Sequence, residues 1–600
     1  MEIILEFLQS GLLPAVLLII RIIVPVLALY VVWRSYTSFK KGQRRRDPVI
    51  MLWDEASGTR FPVLYWENSI GRSKSCDIYL PDATASRDHA VLMRRDEGWV
   101  ICDTGSKSGV LVNGRQIDGK KVVNIGDSVT MGSTTLTLWN TDAEPVKRRV
   151  FTGFSREAAS PFKLMFVATM VHLLMAVQGC FQDGGFAPVQ FVPFGAVLIM
   201  GWGLYIFSMR ILHRVSFEIE TVAYLLSGIG INLLAANDID QVKTQLAAML
   251  IGIVLFCFLI WFMNDMDRVA KFRLYIGIGA ILLFAVNLLI GKDINGSRNW
   301  IIIGPLSFQP SEFIKIAFVF VGTSTLDRLQ TKKNITEFLI FAAACMGCLF
   351  LMRDFGTAVI FFACFLIIAF MRSGSVRTIA LILVGAALGV FLILKFKPYV
   401  AQRFMGWGHV WEHVQDSMGF QQTRVLTYIA SGGMFGLGLG EGCLTDVFAA
   451  DSDLVFGLLC EEQGLLLGLV VLMAIAMFTL YARSDVTRSR STFFSIASCA
   501  VAGMLLFQTC LNVFGATDVL PMTGVTLPFI SAGGSSMMSV WGLMAFLKAS
   551  DERTYAARRA SKHGSRSGGN PPPTSRGRSR ASDPGRRREE MPTNKMSSAN

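Results

Sequence analysis

Apolar runs near the length that spans a bilayer as a helix, about 20 residues, recur through most of this chain of 600 residues. The loops between them are short and carry Lys and Arg, the pattern of a polytopic membrane protein. Composition agrees: only 17% of residues are charged, against about 25% in an ordinary soluble domain. A soluble enzyme, a disordered chain and a collagen are thereby excluded. The 11 Cys are scattered rather than arrayed as a disulfide scaffold. Cys345 and Cys348 have CxxC spacing, but they lie in an apolar run without a second pair. Zinc needs four ligands, so these thiols read as helix-packing groups and no metal site is expected. The net charge of +13 is concentrated at the end, where residues 551–600 hold 12 Lys/Arg against 5 Asp/Glu. That excess reads as a flank near anionic lipid, and no nucleic-acid partner is inferred.

The first apolar run, about Leu12 to Trp33, is followed by Lys40, Lys41 and Arg44 to Arg46. A cleaved signal peptide carries its charge before the apolar stretch. Residues 1–49 are therefore a retained transmembrane anchor with a basic flank, which puts the following segment in the cytoplasm. Further helices are expected near 163–181, 190–209, 220–236, 244–264, 274–291, 312–326, 336–352, 356–372, 378–396, 454–481, 492–511 and 525–548. With the anchor, they number about thirteen. The basic loops then all fall inside, and loops 292–311, 397–453 and 512–524 face outward. Residues 551–600, rich in Ser, Gly, Pro and Arg, have too little apolar surface to offset ordering and form a disordered basic cytoplasmic tail.

Residues 50–141 differ in kind: short alternating runs broken by Gly, Asp-Gly and Asn-Gly turns, as in a small all-β domain. Gly71-Arg72, Ser86-Arg87-Asp88-His89, Ser106-Lys107-Ser108-Gly109 and Asn113-Gly114 stand in order. A phosphate dianion is well matched by a guanidinium and a short hydroxyl on preset loops. Arg72 and Ser86 supply that pair. The segment resembles the forkhead-associated (FHA) domain, a β-sandwich that binds phosphothreonine peptides. The resemblance implies phosphopeptide contact by Arg72, Ser86, Arg87 and Ser108, with His89 steadying the Ser86 loop. Where that family has Asn-Gly-Thr, this chain has Ser108-Gly109-Val110, so an FHA fold serving only as a scaffold stands as the alternative.

In the membrane region, polar residues are expensive and invite functional explanation. The densest cluster runs from Asn295 through Arg298, Trp300 and Gln309-Pro310-Ser311-Glu312 to Lys315. Glu312 and Lys315 are three apart on a helix and can pair, as a structural bridge or a cavity lining. Asp354-Phe355-Gly356-Thr357, then Gln421, a Gly run from 432 to 442, and Asp453-Leu454-Val455-Phe456 leading into Glu461-Glu462-Gln463 follow. Asn512, Pro528 and Gly533-Gly534-Ser535-Ser536 complete the series.

In this order the segments resemble the SEDS family of the RodA/FtsW/SpoVE type. The resemblance implies a ten-helix core over residues 216–550, with outer loop 397–453 and two additional helices in 150–215. It further implies a peptidoglycan glycosyltransferase that polymerises lipid II at the outer face of the cytoplasmic membrane for cell elongation or division. A class B penicillin-binding protein is its implied partner. A phosphothreonine protein, linked to a Ser/Thr kinase, is implied for the FHA domain. The tail itself offers Thr574 and Thr593. The family's catalytic Asp falls at Asp416 when the loop is taken as two residues shorter, with His413 and Glu412 as alternatives; a solvated loop Asp is the plain reading. Arg298, Trp300, Gln309, Ser311, Glu312, Lys315, Gln421, Ser535 and Ser536 are the expected substrate-binding residues, joined by Arg403 and Arg424 from their loop position. No cofactor is required by the sequence, with room left for Mg or Mn. A lipid-linked precursor flippase and a non-catalytic scaffold are the competing functions.

Overall fold

The computed structural model describes residues 13–41, 50–63, 67–73, 76–95, 98–139, 159–182, 185–211, 216–294, 297–303, 306–324, 331–373, 376–377, 379–380, 382–385, 387, 395, 407–415, 419–486 and 492–549. It combines a helical bundle with a β-sandwich inserted between the bundle's first two helices.

The sandwich contains β1 (Ile50–Asp54), β2 (Arg60–Val63), β3 (Glu67–Gly71), β4 (Ile78–Tyr79), β5 (Ala90–Arg95), β6 (Gly98–Asp103), β7 (Val110–Val112), β8 (Arg115–Gln116), β9 (Lys120–Val123), β10 (Ser128–Met131) and β11 (Thr134–Trp139). They form a six-stranded sheet, in the order β2-β1-β11-β10-β7-β8, and a five-stranded sheet, β4-β3-β5-β6-β9. Alternating side chains such as Leu52, Ile70, Leu92, Ile101, Val112 and Leu136 fill the space between the sheets. That period-two burial is what the turn-punctuated sequence predicts.

The bundle comprises α1 (Leu13–Lys41), α2 (Pro161–Gly179), α3 (Phe191–Ile206), α4 (Glu218–Asn237), α5 (Ile239–Met263), α6 (Met266–Ile290) and α7 (Pro310–Ser324). It continues with α8 (Thr331–Leu351), α9 (Phe355–Ser373), α10 (Phe420–Gly432), α11 (Val455–Val486), α12 (Thr492–Ala516) and α13 (Gly534–Ala549). Among the described residues, eight helices are long and apolar enough to cross a membrane. The chain is a multi-pass membrane protein with an inserted all-β sandwich. The expected span 378–396 lies largely outside the described residues, as do Arg403, Asp416 and the tail.

One expected boundary needs correction, and two of the loops carry secondary structure of their own. The last helix starts at Gly534 rather than 525, because Pro528 cannot extend a helix and Ser531 Oγ accepts the Leu527 N–H at 2.7 Å. The 397–453 loop contains α10, a helix too short and too polar to register as a span. The 292–311 loop folds as a three-stranded hairpin, β12 (Lys292–Ile294), β13 (Ser297–Ile303) and β14 (Leu306–Phe308).

Helix α11 is broken at Gly464, whose φ is 86°. A break inside a membrane leaves carbonyls that must find donors. The Gly-rich segment after α10 supplies them: Leu437 N donates to Glu461 O and Gly438 N to Glu462 O, each at 2.9 Å. A Cβ at Gly436 would collide with the Glu462 carbonyl, and one at Gly464 with the Met434 carbonyl. The glycines therefore permit backbone-to-backbone packing, and the segment is a helix–loop junction rather than a phosphate cradle.

Helices α1 and α2 clasp this junction. Arg21 NH1 donates to Gly436 O at 2.9 Å. Gln182, just past α2, donates to Leu439 O and Ala236 O, both at 3.2 Å. Gln463 Nε2 donates to Gln178 Oε1 at 2.8 Å.

Candidate active site

Helix α7 starts at Pro310, a residue suited to the first helical turn, and carries Ser311, Glu312 and Lys315 inward. All three are buried. Lys315 Nζ donates to Glu312 Oε1 at 2.7 Å and to Gln508 Oε1, on α12, at 3.0 Å. Gln508 Nε2 then donates to Thr526 O at 2.9 Å and to its Oγ1 at 3.1 Å. Thr526 Oγ1 shares a 2.8 Å bond with Ser536 Oγ. Ser535 Oγ accepts the Gln309 N–H at 3.1 Å, and Ser539 Oγ donates to Glu312 O at 2.7 Å. One connected polar chain thus joins α7, α12, the non-helical 525–533 segment and α13. Glu312 Oε2 and Ser311 Oγ are buried without a hydrogen-bond partner in the structure, capacity that a polar ligand could use.

One turn beyond Gln508, Asn512 Nδ2 donates to Val525 O at 2.7 Å and Asp453 O at 2.9 Å. Ser531 Oγ donates to Ser452 O at 2.6 Å, and Ala532 N to Asp451 O at 2.9 Å. The 449–454 loop and the 525–532 segment are therefore held together. Between them and the end of α4 lies a cavity of about 310 Å³. It is lined by Asn237, Asp238, Gln241, Asp446, Asp451 and Phe448 among others. Burial raises the Asp451 carboxyl, with the Asp238 charge adding to the effect. Burial likewise pushes Asp453 up to about 6, helped by Asp451. A carboxyl titrating near neutrality can act as a general base or acid.

The hairpin is tied to the start of α9. Arg298 N donates to Met352 O at 2.9 Å, and Asn299 Nδ2 to Asp354 Oδ2 at 3.1 Å. Asp354 Oδ1 caps α9 by accepting Thr357 N at 3.1 Å. The Arg298 side chain is exposed and Trp300 half-buried. The first turn of α9 abuts Thr523, whose carbonyl a Cβ at Gly356 would strike.

The structure thus brings Gln309, Glu312, Lys315, Ser535 and Ser536 together, with the unpartnered hydroxyl of Ser311 next to Glu312 in the first turn of α7. Arg298 and Trp300 stand on the hairpin beside it. Gln421 lies elsewhere, donating to Phe448 O at the cavity rim at 2.8 Å, and Arg424 stacks on Phe420 at 5.2 Å. Glu412 is 72% exposed and 3.3 Å from His409. His413 ends a short 3-10 turn. The sequence reading missed Asp451, and passed over Asp453 although it named the segment that contains it. Two carboxylates just before an apolar span that opens on a glycine-rich loop was the available signal. Among the described residues, no group of three His, Cys, Asp or Glu could hold a metal ion.

In the sandwich, the loops meet through buried His89. Ser86 N donates to its Nδ1 at 3.0 Å, so the proton resides on Nε2, which donates to Gly109 O at 3.0 Å. Lys107 N donates to Ser86 Oγ at 3.0 Å, leaving that hydroxyl's proton for an anion. Arg72 N is bonded to Ser86 O at 2.9 Å. Arg72, Arg87, Lys107 and Ser108 are exposed. Three loops thus present a basic, hydroxyl-bearing surface on a buried backbone frame.

Comparison with known proteins gives two families. A model of the FtsW/RodA/SpoVE cell cycle proteins matches residues 205–555, and an FHA-domain model matches residues 68–132. A Coxiella burnetii protein named "Probable peptidoglycan glycosyltransferase FtsW" is 34% identical over 270 residues, 43% of this chain and 72% of that protein. A Saccharophagus degradans protein of the same name is 29% identical over 364 residues, 57% of this chain and 93% of its own length. A chain of a peptidoglycan synthase complex, solved for the structural coordination of polymerization and crosslinking, matches with a TM-score of 0.48. It is 24% identical, over 56% of this chain and 98% of that one.

Proposed function

Since the chain belongs to the FtsW/RodA/SpoVE family of cell cycle proteins and carries an FHA domain, we propose that it is a peptidoglycan glycosyltransferase of a bacterial cytoplasmic membrane. It polymerises lipid II, in elongation or division, and its FHA domain regulates it by binding phosphothreonine. The match over residues 205–555 carries this reading, and the buried polar chain from Glu312 to Ser536 and the cavity at the 449–454 loop support it. The FHA domain and the tail are cytoplasmic in this reading, and loop 397–453 lies outside. A class B penicillin-binding protein is the transpeptidase partner.

The chemistry asks for three things. A base takes the proton of an acceptor sugar hydroxyl as its oxygen bonds to the donor's anomeric carbon. The bond from that carbon to the polyprenyl pyrophosphate breaks, and the electron pair leaves with the pyrophosphate. Donors and cations then hold the developing charge. Asp416 is the proposed base, with His413 and Glu412 as alternatives. Asp453 is a second candidate, because burial raises its pKa and it stands two residues from Asp451, which lines the cavity. Arg298, Arg403 and Arg424 are the proposed pyrophosphate contacts. Trp300, Gln309, Ser311, Glu312, Lys315, Gln421, Ser535 and Ser536 line the substrate path.

The test is polymerisation of labelled lipid II by the purified chain, alone and with a class B penicillin-binding protein, for wild type, Asp416→Asn and Asp453→Asn. Strands from wild type are expected, with a loss of at least 100-fold in the variant that removes the base. An absence of strands under all conditions overturns the enzyme reading in favour of transport or scaffolding.

A further inference from the structure

Resting on the phosphothreonine reading of the sandwich, we infer that its ligand is the chain's own C-terminal tail, phosphorylated at Thr574. The observation that carries this is where three chain segments leave the bundle. Ser38, in the last turns of α1, donates to Glu218 Oε1 at 2.7 Å and accepts the Ala159 N–H at 3.4 Å. Residues 38 and 159 flank the sandwich in the chain, so both of its connections start from this point. Two residues past Glu218, Glu220 pairs with Lys548 at 3.0 Å. Lys548 also donates to Ser216 O at 2.6 Å and to its Oγ at 3.0 Å. Lys548 stands in the last turn of α13, directly before the tail. Ser38, Glu218, Glu220 and Lys548 are all buried. A buried lysine with a carboxylate and two oxygens is a fixed anchor. The entry to the sandwich, its exit and the root of the tail are thus fastened to the first turn of α4.

Length then permits the contact. From Ala549 to Thr574 the chain has 25 residues, a span of at most about 85 Å and about 28 Å as a coil. The entry from Lys41 to Ile50 can extend only about 30 Å, and a domain of this size has a radius of gyration of about 13 Å. Thr554, five residues from the root, reaches only about 17 Å. Thr593 has the longer tether and so a lower local concentration. Thr574 follows Pro571-Pro572-Pro573, which favours an extended strand before binding.

Charge makes the contact conditional. Arg72, Arg87 and Lys107 are cations, and the tail carries 12 Lys/Arg against 5 Asp/Glu, so the unmodified tail brings little anion for them to bind. A phosphate adds about −1.5 to −2 charges and three acceptor oxygens for Arg72 and the Ser86 hydroxyl. Once it is present, tethering gives a local concentration near the millimolar range, well above that of an average free ligand.

The test uses the full chain in lipid nanodiscs, with phosphothreonine installed at position 574 or not, and a fluorescent phosphopeptide copying residues 568–580. The probe should bind the unphosphorylated chain, and Arg72→Ala should weaken it at least tenfold. Installed phosphothreonine should raise the probe concentration needed at least 100-fold, independently of protein concentration. Equal probe binding by both chains overturns the proposal while leaving the phosphothreonine reading standing. So does a probe that fails where a degenerate phosphothreonine library binds through Arg72, and so does occlusion that vanishes on dilution, which would mean pairing between copies. If no phosphothreonine peptide binds, the underlying reading fails and the proposal with it.

Discussion

The phosphate-reading loops of the sandwich and the polar chain of the bundle are both clusters of charge and hydroxyl, but they are built oppositely. In the sandwich the charged groups, Arg72, Arg87 and Lys107, stand in water, and what is buried is the frame: His89 between Ser86 N and Gly109 O. In the bundle the charges themselves are buried, and Lys315 at 2% exposure spends its donors on Glu312 and Gln508. Water solvates an unpaired guanidinium at little cost, so a soluble site can wait with its charges free. Inside a bilayer an unpaired ammonium costs several kcal/mol, so the site must be assembled before substrate arrives. The first kind of site should tolerate loss of a charge and fail only in binding. The second should fail in folding as well.

The sharpest way to break this contrast is Lys315→Met. Removing one partner of a buried pair costs about 3–5 kcal/mol, so the variant should lose its folded yield in detergent along with lipid II polymerisation. Lys315→Met with Glu312→Gln should recover thermal stability without recovering activity. A stable, active single variant would place the pair outside both roles.

Next in size is a titration. The raised carboxyl of Asp453, near 6, stabilises the fold when protonated. Its contribution is full below the unfolded pKa near 3.9 and is lost as pH rises through about 6. Asp453→Asn should therefore gain up to about 3 kcal/mol on wild type between pH 4 and pH 7, read from thermal unfolding across that range. Parallel curves would show the group is not held protonated.

Arg72→Ala should cost about 1.5–3 kcal/mol of phosphopeptide affinity, the range for a charge-assisted hydrogen bond. The melting of the sandwich and the basal polymerisation rate should stay unchanged. A destabilised sandwich would mean the arginine belongs to the frame. Smallest of all, the His409–Glu412 contact is exposed on both sides, so Glu412→Gln should shift stability by less than about 1 kcal/mol. If it also abolishes glycan synthesis, Glu412 rather than Asp416 is the base.

What was legible in the chain follows from the same physics. Spans such as α5 and α12 announce themselves because lipid demands long unbroken apolar stretches. The meeting of Gln309, Glu312, Lys315, Ser535 and Ser536 could be anticipated only as a set of costly polar residues. Their partner Gln508 sits within an apolar span with nothing local to mark it. The hairpin at 292–308 was hidden because it docks on Met352 and Asp354, some 55 residues away. The unwound 525–533 segment was read as helix because its composition is apolar, whereas Pro528 and the Ser531 turn decide its shape. Asp451 and Asp453 owe their perturbed titration to burial that no local pattern reveals.

The clasp of α1 and α2 on the Gly-rich junction bears on how the molecule could be cut. The family match begins at residue 205, which invites expression of the C-terminal two thirds as a minimal enzyme. Such a fragment would bare the Gly436 and Leu439 carbonyls and the amide of Gln463, and would expose the face of α4 on which His172 and Tyr224 now stack at 4.6 Å. In this chain the boundary drawn by ancestry and the boundary drawn by folding do not coincide. The preceding residues have become part of what the core requires to stand.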